Sequence, residues 1–291
     1  MTWLIIGGNG QLGQAITLNL VQSGIKAKNF SRTDLDITNL QEVLNTLDTI
    51  KPKVIVNAAA WTDVDKAELH PDFAFKVNSD GPKNLAIAAG HVGSRLVQIS
   101  SDYVFSGERN TPWSESDSLA PISTYGYTKA QGEAYVRDIL PDMSYIVRTA
   151  WLYSEFGRNF VKTILRNGFA DNESIPVVDD QLGQPTSAHN LSVQIIKLLY
   201  SDAVPGVYHG TNSGQATWFE FAKEIFTLAN LEVSRIIPVP SLSVPRLAKR
   251  PNYSVLGHSN WTKNDLEPMA DWREALSSSI PAIISAVNEG R

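Results

Sequence analysis

The chain has 291 residues, 43% of them hydrophobic and 19% charged, with 30 acidic against 25 basic side chains and no cysteine. At roughly 150 residues per domain, that length corresponds to about two domains or one large α/β unit with a substantial core. The acidic balance argues against a nucleic-acid protein, and the lack of Cys excludes disulfide scaffolds, thiolate metal sites and a Cys nucleophile. No apolar run approaches the ~18 residues of a membrane span and the first three residues carry no basic region, so the expectation is a soluble, cytoplasmic protein.

In chain order, Trp3, Leu4, Ile5 and Ile6 read as a buried strand that ends at Gly7 and Gly8. Leu12, Ile16, Leu20 and Val21 then fall at helical spacing. Further strands are expected at 27–30, 54–56, 96–99 and 145–147, with helices at 39–50, 72–91 and 123–139 between them. Apolar strands separated by crossover-length helices predict a Rossmann-type, doubly wound parallel sheet covered on both faces. After about residue 150 the rhythm loosens, and short helices near 187–200, 217–229 and 272–288 are separated by loops. The expected organisation is therefore a nucleotide-binding domain over 1–150 and a smaller substrate-binding lobe over 151–291. Some segments of that lobe are expected to return to the main sheet.

The first strand runs straight into GGNGQLG at 7–13, which places Gly7, Gly10 and Gly13 three residues apart at the mouth of the first helix. Glycines there permit a tight turn, close approach of a pyrophosphate and close helix–strand packing. The helix N-terminus adds free N–H groups and partial positive charge. A dinucleotide site is expected, with Gln11 and Leu12 in the same turn. The second strand ends in Phe30-Ser31-Arg32 with no carboxylate until Asp34, so Ser31 and Arg32 point to NADPH. The alternative is that Arg32 is a solvated charge and NADH is accepted too. Asp36 and Ile37 are placed to line the adenine, and small residues at 58–60 let the backbone run beside the cofactor.

Tyr125 and Lys129 stand at i and i+4, on one face of a helix. A nearby ammonium is expected to lower the phenol's pKa from about 10 toward the working range. Lys129 is also placed to bond the nicotinamide ribose. Ser101 follows the fourth strand, where a hydroxyl can stabilise a carbonyl oxygen as it becomes an alkoxide. Together Ser101, Tyr125 and Lys129 suggest carbonyl reduction, and no G-x-S-x-G hydrolase motif is present.

In these residues the chain resembles the extended short-chain dehydrogenase/reductases. Longer strings narrow the resemblance to the dTDP-4-dehydrorhamnose reductase family: VNAAA at 56–60, VDKAE at 64–68, SDYVFSG at 101–107, TPWSE at 111–115, YGYTK at 125–129, RTAWLY at 148–153, DQLGQPT at 180–186 and Arg250-Pro251. The resemblance implies NADPH-dependent reduction of a C4 ketone on a dTDP-sugar, with Ser101, Tyr125 and Lys129 as the catalytic set. It implies cofactor contacts from Gly10, Gln11, Leu12, Asp36, Ile37, Ala59, Ala60 and Trp61, and substrate contacts from Val64, Ser101, Asp102, Tyr103 and Trp151. Ser101 stands where most members have Thr, a swap that keeps the hydroxyl.

Arg246, Lys249 and Arg250 occupy a Pro-bounded loop, and Arg250 is expected to hold the substrate diphosphate. The carboxylates Asp63, Asp65 and Glu68 are read as complements to a helix dipole, not as a metal cluster. Some family members form metal-bridged dimers through a Glu where this chain has His189, which argues against such a dimer. No metal is expected, since hydride transfer with a Tyr acid needs none, and the chain is taken as a monomer or homodimer. Two rivals remain. One is a sugar-nucleotide epimerase or dehydratase, although the Glu that follows the Asp of dehydratases is Tyr103 here. The other is a non-catalytic NADP-binding subunit of the methionine adenosyltransferase type.

Overall fold

The computed structural model describes residues 2–171 and 173–289. Strand β1 (Thr2–Ile6) is followed by α1 (Gln11–Gln22), β2 (Lys26–Phe30), α2 (Leu40–Ile50) and β3 (Val54–Asn57). Next come α3 (Val64–Leu69), α4 (Pro71–Phe75), α5 (Gly81–Val92), β4 (Arg95–Ser101), α6 (Thr124–Ile139) and β5 (Ser144–Thr149). The C-terminal half contributes β6 (Leu152–Tyr153), α7 (Phe160–Ala170), β7 (Ile175–Val178), β8 (Leu182–Gly183), β9 (Thr186–Ser187) and α8 (Ala188–Tyr200). It ends with β10 (Gly206–His209), β11 (Ala216–Thr217), α9 (Trp218–Leu228), β12 (Ile236–Val239), α10 (Ser259–Lys263) and α11 (Trp272–Glu289).

Among the described residues the central sheet has six strands in the order β10-β5-β4-β3-β1-β2, every neighbouring pair parallel. Alternate residues feed two cores. Trp3, Ile5, Val54, Val56, Val97 and Val147 pack under α1 and α8, and Leu4, Ile6, Ile55, Leu96 and Ile146 pack under α2, α5 and α6. A buried strand has no polar face, which is why these segments read as unbroken apolar runs. The chain leaves β1 for β2 on one side and β3 on the other. A ligand crevice therefore opens above the β1–β3 boundary. β10 lies beyond residue 150 yet extends the sheet beside β5, and a third core of α7, α9 and α11 stands over the strands' C-terminal ends.

The helix expected at 72–91 is broken: α4 and α5 are separated by a π turn over Lys76–Asp80. Pro82 lacks the N–H that would satisfy the carbonyl four residues back, and its ring crowds that carbonyl. Widening the turn relieves both. It also frees the buried Asn78, whose side chain accepts from Trp61 N at 2.9 Å and donates to Trp61 O and Thr128 Oγ1, each at 3.1 Å.

Candidate active site

A cleft of about 1000 Å³ runs along the C-terminal ends of β1, β2, β3, β4 and β5. At its centre the first turn is squeezed between neighbours. Gly7 has φ +78°, and a Cβ there would lie 2.5 Å from Ala59 N, so neither the conformation nor the space admits a side chain. Its N–H and that of Gly8 donate to Phe30 O at 2.9 and 3.0 Å, pinning the turn to β2. Gln11, at the first position of α1, accepts from Asn159 Nδ2 at 2.9 Å and Ser154 Oγ at 3.2 Å and so ties the glycine turn to the start of α7. The N-terminus of α1 faces the cleft with side chains removed, a cradle that fits a pyrophosphate.

The cleft walls include Gly7, Gly10, Gln11, Leu12, Ser31, Arg32, Asp36, Ile37, Ala59, Ala60 and Trp61. Gly13 is brought to the turn but not to the wall. A Cβ there would sit 2.4 Å from Gly7 O, so its smallness serves helix-on-turn packing. At the far end Asp34 folds back to accept from Ser31 N at 2.8 Å and Ser31 Oγ at 2.6 Å, and it does not reach the wall. Ser31, Arg32 and Thr33 are left on the cleft wall, a set whose chemistry fits a 2′-phosphate better than a bare ribose. Asp36 is occupied locally, accepting from Thr38 N and Oγ1 at 3.0 and 2.8 Å.

At the other end the cleft is closed by Ser101, Asp102, Tyr103, Val64, Tyr125, Lys129 and Trp151. Ser123 caps α6 by accepting from Gly126 N at 3.1 Å, and Glu68 accepts from Thr124 N at 2.8 Å, which fixes the helix start beside α3. Gly126 lets that start touch the segment after β4, because a Cβ would fall 2.1 Å from Tyr103 O. Tyr103 and Tyr125 meet edge to face at 5.5 Å. Ser101 Oγ donates to Asp102 Oδ1 at 2.9 Å and accepts from Tyr103 N at 3.2 Å.

Electrostatics here run against one expectation. Burial pushes the Tyr125 phenol up to about 12, opposed by a hydrogen bond with Ser101 and assisted by the Asp102 charge. The expected lowering by Lys129 is not what the chain alone produces: the ammonium donates to Ile99 O at 2.6 Å. Burial pulls Lys129 down to about 8. Asp102, 2% exposed, is pushed up to about 6 by burial against its hydroxyl partners.

Arg250 departs from expectation as well. It does not line the cleft. Its two guanidinium nitrogens clasp Asp65 of α3 at 3.1 and 2.8 Å, and Asp65 also accepts from Ala248 N at 3.1 Å. A bidentate carboxylate is a strong partner for a guanidinium, and this one anchors the loop over 245–251 to α3. The three carboxylates around α3 thus have separate duties: Asp63 accepts from Lys66 N at the helix start, Asp65 holds the loop, and Glu68 holds α6.

Sequence reasoning missed Trp218 and Arg158, which also line the cleft. Trp151 and Trp218 stack at 3.5 Å and 12°. Trp151 has φ +46°, a strained conformation for a bulky residue, and Gly183 leaves room for its indole. Trp218 opens α9 behind a Thr217–Glu220 capping box, a signal for a helix start that says nothing of a cleft.

A parallel sheet with a glycine-lined crevice and a Ser–Tyr–Lys cluster at one end defines the architecture of the extended short-chain dehydrogenase/reductases. The chain belongs to the family described as RmlD substrate binding domain, whose sequence profile matches residues 1–284. It is 44% identical over 285 residues to a dTDP-4-dehydrorhamnose reductase of Streptomyces griseus, covering 97% of this chain and 93% of that one. It is 41% identical over 281 residues to a dTDP-4-keto-6-deoxy-D-glucose reductase of Streptomyces niveus, covering 97% of each. A crystal structure of the dTDP-4-dehydrorhamnose reductase of Bacillus anthracis in complex with NADP superposes with a TM-score of 0.93 at 40% identity, covering 96% of this chain and 98% of that one.

Proposed function

We propose that the protein reduces the C4 ketone of dTDP-4-dehydro-β-L-rhamnose, giving dTDP-β-L-rhamnose with NADPH as reductant, the last step of dTDP-rhamnose synthesis. The observation that carries this reading is the Ser101–Tyr125 hydroxyl pair at the closed end of a cleft shaped for a dinucleotide. The cofactor supplies a hydride to the carbonyl carbon. Tyr125 gives the proton to the oxygen. An alkoxide is more basic than any phenolate, so a phenol near 12 transfers its proton downhill yet stays protonated at neutral pH. Ser101 holds the carbonyl oxygen as charge gathers on it, and Lys129 sits one turn along the helix to bond the ribose and offset that charge.

On this reading Gly7, Gly10, Gln11, Leu12, Ser31, Arg32, Asp36, Ile37, Ala59, Ala60 and Trp61 form the NADPH wall, with NADH a weaker substitute, and Gly13 supports the turn. Val64, Asp102, Tyr103 and Trp151 face the sugar nucleotide. The partner is a small dTDP-sugar, with neither nucleic acid nor membrane involved. No described helix is long and apolar enough to cross a membrane. The setting is the cytoplasm, and the chain acts as a monomer or homodimer. The Streptomyces niveus relative favours one second reading, reduction of dTDP-4-keto-6-deoxy-D-glucose, which presents the same C4 ketone with different ring stereochemistry.

The test is NADPH oxidation at 340 nm with each 4-keto-6-deoxy sugar nucleotide made in situ, and the product identified by NMR. Turnover with the rhamnose precursor, reduced about 10²–10⁴-fold in Tyr125→Phe without loss of NADPH binding, is the expected result. Turnover confined to the glucose-configured ketone would establish the second reading instead. A protein that purifies with stoichiometric NAD and releases no reduced sugar would point to an epimerase or dehydratase.

A further inference from the structure

Helix α6 carries Tyr125, Lys129 and Glu133 at successive i+4 positions, so the three lie along one buried face. Glu133 and Arg148 of β5 are each 1% exposed and form a two-pronged pair, Nε to Oε1 at 2.9 Å and Nη2 to Oε2 at 2.7 Å. The rest of the guanidinium meets uncharged groups. Nη1 donates to Glu115 O at 3.3 Å and faces His209 Nε2 at 3.4 Å, while the guanidinium lies 5.1 Å from the centre of the Phe105 ring. His209 Nδ1 lies 2.8 Å from Gly257 O, which makes Nδ1 the protonated nitrogen and Nε2 the acceptor. Burial and the Arg148 charge hold this imidazole well below its usual range, so it stays neutral. Neither Glu133 nor Arg148 lines the cleft.

We propose that the Glu133–Arg148 pair is a positioning device for Lys129: the carboxylate holds the ammonium charged at the reaction centre, and Arg148 fixes how much of the carboxylate's field reaches it. This rests on the reading that Lys129 serves the reduction. The ammonium's own hydrogen bond goes to the neutral Ile99 O, which supplies no counter-charge. Glu133 is the charge that opposes the downward pull of burial on Lys129. Other titratable groups nearby are committed elsewhere. Tyr125 bonds Ser101, and Asp102 accepts from Ser101 at the end of β4. The Glu115 carboxylate accepts from Ser259 Oγ at 2.7 Å and Asn260 N at 3.1 Å, and His258 Nε2 faces Thr211 Oγ1 at 2.8 Å.

The experiment is a titration of the Lys129 ¹³Cε resonance in ¹³C-lysine protein without substrate, assigned through Lys129→Arg. Glu133→Gln keeps a hydrogen-bond acceptor for Arg148 and removes the charge, so the midpoint should fall by about one pH unit. Arg148→Gln keeps a donor for Glu133 and removes its counter-charge, so the midpoint should rise. Opposite directions are the signature of field tuning. Shifts of the same sign, or none, would reduce the pair to a packing element and overturn the proposal. Should either single variant fail to fold, Glu133→Gln/Arg148→Gln leaves neither member of the pair charged without its partner. Its midpoint should lie below that of the parent, and an unchanged midpoint overturns the idea. The alkaline limb of kcat should move with each midpoint. A chain that reduces no 4-keto sugar would count against the function alone, since the resonance still reports on the pair.

Discussion

Burial shifts two titrating side chains in the cleft in opposite directions. On the proposed mechanism Lys129, pulled down to about 8, offsets the developing alkoxide only while charged, so kcat should hold at pH 6–7.5 and fall as pH rises through about 8. A profile of initial rates from pH 6 to 9.5 checks this. A rate that stays flat to pH 9.5 would mean that the lysine charge is dispensable. Asp102 is raised from 3.8 to about 6 by burial, so folding favours its neutral form. The cost of holding it ionised is absent below about pH 4 and fully present above about pH 6. Asp102→Asn should therefore raise Tm at pH 7.5 and do so far less at pH 4, while turnover falls. A gain of equal size at both pH values would place the effect in packing instead of charge. A residue kept at a cost to stability is typical of a working site.

At the scale of elements, the site exists because α6 is pressed against the end of β4 and against the π turn before α5. Gly126 meets Tyr103 O, and Gly132 meets Asn78 O, where a Cβ would lie 2.2 Å away. Gly126→Ala must push the helix start outward, costing about 1–3 kcal/mol of stability and moving Tyr125 away from Ser101. The expected outcome is a lower Tm together with at least a tenfold loss in kcat, because small displacements of an acid are expensive. A melt shifted downward with kcat intact would show that the helix start gives way without disturbing the hydroxyl pair. The Asp65–Arg250 clasp works at this scale too, holding a loop from near the end of the chain to a helix near its start.

For the molecule as a whole, the cleft joins the sheet to the core of α7, α9 and α11 through the Trp151–Trp218 stack. Binding of dTDP in the presence of NADPH should change tryptophan fluorescence, and Trp218→Ala should abolish most of that change. The same variant should raise KM for the sugar nucleotide about tenfold, the scale of one aromatic stack of ~1.4 kcal/mol, with little effect on KM for NADPH. Equal effects on both would mean that the stack supports the whole cleft and not its sugar end.

Much of this molecule was legible in the sequence, because its strands are short apolar runs and its chemistry sits at strand ends, where local spacing suffices. Gly7 and Gly10 of the glycine turn, the Ser31–Arg32 pair and the Ser101, Tyr125 and Lys129 set all fall on the cleft wall, since each lies within a few residues of a strand or helix start that periodicity locates. Contacts between distant segments were not legible in that way. Arg250 reads in the sequence as a loop cation for the substrate diphosphate, yet Asp65 claims it across 185 residues of chain. Trp218 had no motif to betray it. The direction of the Tyr125 shift was misjudged because pairing at i+4 is a statement about one helix, whereas burial is set by everything packed around it. Local pattern in the chain is enough for five of the six sheet strands, for the crevice and for the reactive groups offered to it. The sixth strand, the charges those groups keep and the distant residues that hold them are set at the tertiary level, because desolvation and long-range ion pairs arise when segments far apart in the chain exclude water from one another.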